Sequence, residues 1–150
     1  MELKDSNPGI LGVIADIIKV EKQYETAIET ALGGTIQNIV TDKENTAKEL
    51  INYLKVNKLG RATFLPLNAI HSRNTLENDN CINEKGVVGV ASNLVRVSFE
   101  YEGLAKYLLG RILVVDNIEN ALVIARKYKY SLRIVTLEGE QLNPGGSMTG

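Results

Sequence analysis

The chain has no tryptophan, two phenylalanines, one cysteine, one histidine and three prolines in 150 residues. A lone cysteine excludes an intrachain disulfide. Cys81 lies in the polar stretch "LENDNCINEKG", with no second Cys or His at ligand spacing, and reads as an inert surface thiol. His71 is the only imidazole and stands at the start of a polar segment. Nucleophilic triads and dyads need their histidine on a rigid scaffold, so His71 reads as solvent-exposed and no catalytic residue is assigned. Neither HExxH nor paired Cys/His spacing occurs, so no metal site is expected. Net charge is -1, which rules out a global field drawing the chain onto nucleic acid or membrane. No apolar run approaches the roughly 20 residues that span a bilayer, and "MELKDSNPGI" lacks a signal peptide's apolar centre. A soluble, cytoplasmic domain is the expectation.

What the chain does have is aliphatic residues: the hydrophobic content is 44%, enough for a core of Ile, Leu, Val and Ala. It also repeats itself. Residues 12–33, "GVIADIIKVEKQYETAIETALG", slide without a gap by 77 positions onto residues 89–110, "GVASNLVRVSFEYEGLAKYLLG". Seven of the 22 positions are identical, where average composition gives roughly one or two. The match continues with short gaps, "VTDKEN" (40–45) on "VDNIEN" (115–120) and "RATFL" (61–65) on "RIVTL" (133–137).

Each copy reads as a β-rich stretch, a helix, a buried strand, a second helix and a closing strand. The first stretches are Leu11–Ile18 and Val87–Val97, and the buried strands are "TIQNIV" and "ILVV". Gly33 and Gly110 stand where a helix C-cap glycine belongs. Thr41-x-x-Glu44 and Asp116-x-x-Glu119 have capping-box spacing for the second helices. Their apolar faces are Ala47, Leu50, Ile51 and Leu54 in one copy, and Ile118, Leu122 and Ala125 in the other. The fold class is α+β (mixed α/β), with two related subdomains, each a small sheet covered by helices. The first covers 9–67 and the second 87–150. A polar connector, 68–86, has the composition of a long, mobile loop. Halves of this size are marginal alone and should bury surface against each other or against a second chain.

Asp116 ends a buried strand, where doubly wound proteins place functional carboxylates. Helix capping explains it without catalysis and is the favoured reading. The closing "QLNPGGSMTG" sets Gly145, Gly146 and Gly150 close together. A frayed tail, a phosphate loop, or an edge segment open to another backbone would each use such glycines. A Walker loop needs a lysine after the last glycine and a strand before the first, and neither is evident. Met148 and Thr149 are not linker residues. The edge reading suits two related halves that meet crosswise between two chains, since two such contacts close a ring.

Taken together, "GVIADIIKVEKQYETAIETALGGTIQNIV", "GVVGVASNLV", "LLGRILVVDN" and "LNPGGSMTG" resemble the hinge domain of structural maintenance of chromosomes (SMC) proteins, most closely the bacterial kind. The resemblance covers about residues 9 to 150 and is SMC-hinge-like in fold. It implies a non-catalytic homodimerisation domain whose halves pair crosswise with the partner's around a small opening. Gly145, Gly146 and Gly150 would lie at the dimer interface. It also implies that ATP and Mg belong to a distant head domain and that coiled-coil arms leave both ends of the hinge. Non-SMC subunits would join the whole protein, and DNA would be a partner, held weakly by the hinge alone, at the nucleoid. The basic residues available for DNA are Lys19, Lys22, Arg96, Arg111, Arg126, Lys127, Lys129 and Arg133. Within "RKYKY", Arg126, Lys127 and Lys129 interleave with Tyr128 and Tyr130, a combination suited to phosphate contact and base stacking. A solvated helix end explains the same cations. The competing reading is a small α/β nucleotide- or ligand-binding domain that uses Asp116 and the glycine cluster.

Overall fold

The computed structural model describes residues 7–72 and 74–150. In the first half, β1 (Ile10–Val13) pairs antiparallel with β3 (Ile39–Thr41), which pairs parallel with β4 (Phe64–Pro66). In the second half, β5 (Val87–Val90), β7 (Ile112–Val115) and β8 (Arg133–Thr136) repeat that order and those directions. Both copies carry the same register irregularity, between Ile10 and Gly12 and between Val87 and Gly89. The second sheet then goes further, adding β9 (Gln141–Leu142) and β10 (Met148–Thr149) to give the order β10-β9-β8-β7-β5. The first sheet stops at β4.

A third, two-stranded sheet ties the halves together. β2 (Lys19–Val20) pairs antiparallel with β6 (Val95–Arg96), and Lys19 stands directly opposite Arg96. These are the very residues that the 77-residue shift superposes. The internal two-fold axis of the fold therefore passes through the Lys19–Arg96 pair. The main core straddles it: Ile14, Ile18, Ile28, Leu32 and Val40 pack with Leu104, Leu109, Val114 and Val135. The second half adds a core of its own around Leu113, Val115, Ile124 and Ile134, whereas the first keeps only Ile10, Ile39 and Leu50 apart from the shared one.

The helices are α1 (Ile14–Ile17), α2 (Glu25–Leu32), α3 (Glu44–Val56), α4 (Glu102–Leu109) and α5 (Ile118–Lys127). Several local expectations shift. The β-rich stretch Leu11–Ile18 is broken by α1, a single turn between β1 and β2. "TIQNIV" is a strand only from Ile39, because a 3-10 turn occupies Gly33–Gln37. On α5 the buried stripe is Ala121, Ile124 and Ala125, with Ile118 and Leu122 at its margin. On α3, Ala47 and Leu50 are buried but Ile51 is 50% exposed.

Neither capping box forms as spaced. The Thr41 hydroxyl donates to the Lys43 carbonyl (3.2 Å), and the α3 N-cap is Lys43, without a side-chain bond. Asn68 of the connector supplies the missing acceptor, taking the Glu44 amide at 3.1 Å. The α5 N-cap is Asn117, whose side chain accepts from the Asn120 amide at 2.9 Å. Asp116, one residue earlier, accepts from the Asn117 amide (2.8 Å) and from the Asn120 side chain (2.9 Å). Asn117→Ala therefore removes the cap and should cost about 1 kcal/mol in a denaturant titration. Asp116→Asn, which keeps an acceptor, should cost less.

The two C-cap glycines work differently. Gly33 has φ +53 and open space around it, so only the left-handed backbone demands glycine there. Gly110 has φ -70. A Cβ on it would meet the Lys106 carbonyl and the Thr75 methyl, so Gly110 is a close-approach glycine.

Candidate assembly and nucleic-acid surfaces

The terminal glycines form the turn of a hairpin. Asn143, Pro144, Gly145 and Gly146 make a reverse turn closed by the Gly146 amide on the Asn143 carbonyl (3.0 Å). Proline second and a positive-φ glycine third is the type II arrangement, and Gly145 has φ +93. Gly146 follows at φ +110. β9 and β10 then pair, Met148 opposite Leu142 and Thr149 opposite Gln141. The segment is thus an edge strand held by its turn. Within one chain a Cβ on Gly145 would touch nothing, and one on Gly146 only the Tyr130 ring at 3.8 Å. Gly150 lies beyond β10 and is exposed. Turn geometry accounts for glycine at 145 and 146 inside a single chain.

β10 leaves its outer edge open, with Met148 50% exposed. β4 is an open edge of the sheet on the opposite half. The Thr63 carbonyl and the Leu67 amide bond to β3, at Ile39 and Thr41. By strand alternation Phe64 and Pro66 turn their backbone groups outward. Pro66 has no N–H to offer, as befits an edge, and limits pairing to the stretch before it. Beside this edge, Val56, Leu59 and Ile51 are 78%, 58% and 50% exposed. A cleft of about 340 Å³ opens between Ile51, Leu54 and the Gly60–Ala62 stretch. An open edge bordered by apolar side chains invites another strand.

The cationic cluster sits where α5 ends. Arg126, Lys127 and Lys129 are exposed. Lys129 and Tyr130 have φ +57 and +58, two consecutive left-handed residues without glycine. The Tyr130 amide closes that turn on the Ala125 carbonyl (2.8 Å), and the Tyr130 carbonyl accepts from the Gly145 amide (2.8 Å). The cationic turn therefore hangs on the glycine hairpin. Lys127 is already engaged, in a 2.8 Å ion pair with Glu84.

That ion pair belongs to a clasp on the connector. Tyr128 also donates to Glu84, at 2.8 Å. Below them Leu76 and Cys81 are buried in the second half's core, on 3-10 turns capped by Thr75 and Asp79 respectively. The surface-thiol expectation for Cys81 is thus overturned, and the segment 74–86 packs as a strap on the second half. Burial, then the nearby Asp79 carboxylate, pushes the Cys81 thiol up to about 11. Lys127, then Tyr128, hold Glu84 below the ordinary carboxylate range, and the Glu84 bond pushes Tyr128 up to about 12. A depressed carboxylate stabilises the fold above its unfolded pKa and loses that contribution as pH falls through the folded value. The clasp is therefore complete at neutral pH and releases in acid. Glu84→Ala at neutral pH should speed labelling of Cys81 by a thiol reagent severalfold over the parent. Equal labelling rates would show that the strap holds without the clasp.

His71 is exposed, and among the described residues no three His, Cys, Asp or Glu side chains are grouped to hold a metal. Asp116 precedes the first turn of α5, whereas the glycine hairpin is bonded beyond its last turn. Ten helical residues, about 15 Å, separate the two groups that a nucleotide site would have to combine. No described helix is long and apolar enough to cross a membrane.

An α/β module built on an internal two-fold, with an open sheet edge on each half, is the class this geometry defines. Residues 7–125 match the family model of the SMC proteins flexible hinge domain, and the chain belongs to that family. It is 46% identical over 141 residues to the chromosome partition protein Smc of Desulfitobacterium hafniense, covering 94% of this chain and 12% of that protein. Against the Smc of Bacillus subtilis identity is 43% over 152 residues, covering all of this chain and 13% of the relative. The chain thus spans about an eighth of these relatives' length. Among solved structures, the Geobacillus stearothermophilus SMC hinge domain, crystallised as an asymmetric dimer, superposes with a TM-score of 0.93 at 44% identity. That match covers 99% of this chain and 62% of the other. The Pyrococcus furiosus SMC hinge domain gives 0.81 at 37%, over 99% and 76%.

Proposed function

We propose that this domain joins two copies of its chain crosswise, the β10 edge of one protomer extending the β4 edge of its partner. One observation carries the reading: the second half continues past β8 with β9 and β10, while the first half ends bare at β4. An incoming β10 fills in trans the place that β9 fills in cis. Met148 then seats against the exposed Ile51, Leu59 and Ala62 surface. Two such contacts close a two-fold ring around a central opening and use both the β4 and the β10 edges of each chain. The dimeric Geobacillus relative supports a pairing of two hinges.

The subdomains 9–67 and 87–150, joined by the connector 68–86, are the units that exchange partners. Gly145, Gly146 and Gly150 mark the interface by shaping and ending the edge hairpin. The hinge needs no cofactor of its own; in the whole protein ATP and Mg act in a head domain, with non-SMC subunits and DNA as partners at the cytoplasmic nucleoid, in chromosome condensation and segregation. Arg126, Lys127 and Lys129 supply phosphate contacts.

DNA binding of this kind is sequence-independent and weakens linearly in log–log salt plots. Arg126→Glu/Lys129→Glu should lower the slope by about two and leave the dimer intact. Keeping Lys127 avoids placing a third carboxylate on the Glu84 clasp. Unchanged affinity and slope in that variant would exclude the patch.

A further inference from the structure

The internal axis carries a feature that assembly does not use. Lys19 and Arg96 face each other across the β2–β6 ladder. Opposed residues of an antiparallel pair project to the same face, with Cβ atoms about 5 Å apart, and like charges there repel. Both side chains line one open groove of about 460 Å³. Among the described residues neither cation has an ion pair. Among the described residues the groove's only lining carboxylate is Asp16, and Ser98 and Tyr101 line it as well. Burial, then the Glu100 charge, raises the Tyr101 hydroxyl's pKa, so it remains a donor at neutral pH.

We infer that this groove is an anion site that takes one phosphate group between Lys19 and Arg96, either a free phosphate or a phosphodiester of nucleic acid. A tetrahedral phosphate, up to a dianion when free and a monoanion as a diester, bridges opposed cations and offsets the repulsion that the ladder otherwise sustains. Ser98 and Tyr101 donate to it, and the Asp16 charge limits affinity. Because β2 and β6 come from different halves, a bound phosphate ties them across the axis. The nucleic-acid arm of this inference rests on the DNA reading above, whereas the free-phosphate arm stands without it.

The test is a titration of the isotopically labelled 150-residue chain, followed by amide NMR. One arm uses inorganic phosphate against chloride at matched ionic strength, and the other a short DNA duplex. Saturable shifts are expected at Lys19, Val95, Arg96 and Ser98 in the phosphate arm. In Lys19→Gln/Arg96→Gln the phosphate affinity should fall about tenfold or more, and the duplex salt slope by about two. Asp16→Asn should tighten phosphate. Losing only the free-phosphate response names a small phosphate as the ligand, and losing only the duplex response names the polymer. The double variant removes a repulsion and should melt no lower than the parent, which separates a binding loss from unfolding. If both arms are unchanged in the folded double variant, or if chloride shifts the same amides equally, the site does not exist. Because the Arg126/Lys129 pair is kept, a failure here leaves the cationic-turn reading untouched.

Discussion

Gly145→Glu/Gly146→Glu is expected to sediment as a folded monomer at concentrations where the parent is a dimer. Both positions have positive φ, so any side chain adds roughly 1–2 kcal/mol of strain to the hairpin turn. In the proposed dimer two adjacent carboxylates also enter a contact that excludes water, and unpaired buried charge dominates the cost. Each perturbation occurs twice in a two-fold assembly. With every 1.4 kcal/mol worth tenfold, the dissociation constant should rise by at least about a hundredfold. The fold survives because the last buried residue, Leu142, precedes the turn. Gly145→Ala/Gly146→Ala carries the backbone strain without the charge and should fall between parent and Glu variant. Circular dichroism in parallel separates dissociation from unfolding.

Gly86→Ala should produce a large loss of stability from a single methyl. Its φ is +89, and an added Cβ would overlap Asp116 Oδ1 at 2.5 Å and the Asn120 side chain at 2.6 Å. Those two side chains are hydrogen-bonded to each other, and the Gly86 carbonyl accepts the Asp116 amide at 2.8 Å. The methyl therefore adds left-handed strain and pushes on the group that begins α5. Strain and overpacking together suggest about 2–4 kcal/mol. Gly33→Ala, with left-handed strain but open space, should cost about half as much. Denaturant midpoints of the two variants give the comparison. Equal midpoints would mean that the Gly86–Asp116 contact relaxes without cost.

The Gly86 contact also explains where the sequence repeat could be read and where it slipped. Gly9 is its counterpart, and its carbonyl accepts the Asp42 amide at 2.9 Å. Asp42 and Asp116 therefore do the same job, and Gly12 and Gly89 pair with Val40 and Val114. The sequence match had set Val40 on Val115, one residue off. It was anchored by Glu44 and Glu119, which are exposed and fixed by no shared contact. The ungapped stretch 12–33 held its register because its apolar residues share one core across the axis.

Cys81 escaped the pattern for a related reason. Its polar neighbours are mostly cap and turn residues that point away, and buried positions in 3-10 turns follow no helical or strand period. The exposed edge of β4 was equally hidden, since a bare strand and a covered one have the same local sequence. The glycine cluster was legible as an edge segment, but the reason for glycine is a type II turn, visible in hindsight as Pro144 followed by Gly145.

Crosswise exchange is tested most directly by mixing two chains that are each broken at a different edge. One is Gly145→Glu/Gly146→Glu, defective at β10. The other is Leu59→Glu/Ala62→Pro, which puts charge on the apolar border and removes an outward donor beside β4. In sedimentation equilibrium each alone should be monomeric, or far weaker than the parent. Mixed in equal amounts they should form a heterodimer, because the intact β10 of the second chain meets the intact β4 of the first. A β4-edge variant that still dimerises like the parent, or a mixture that associates no better than its components, would contradict the crosswise arrangement.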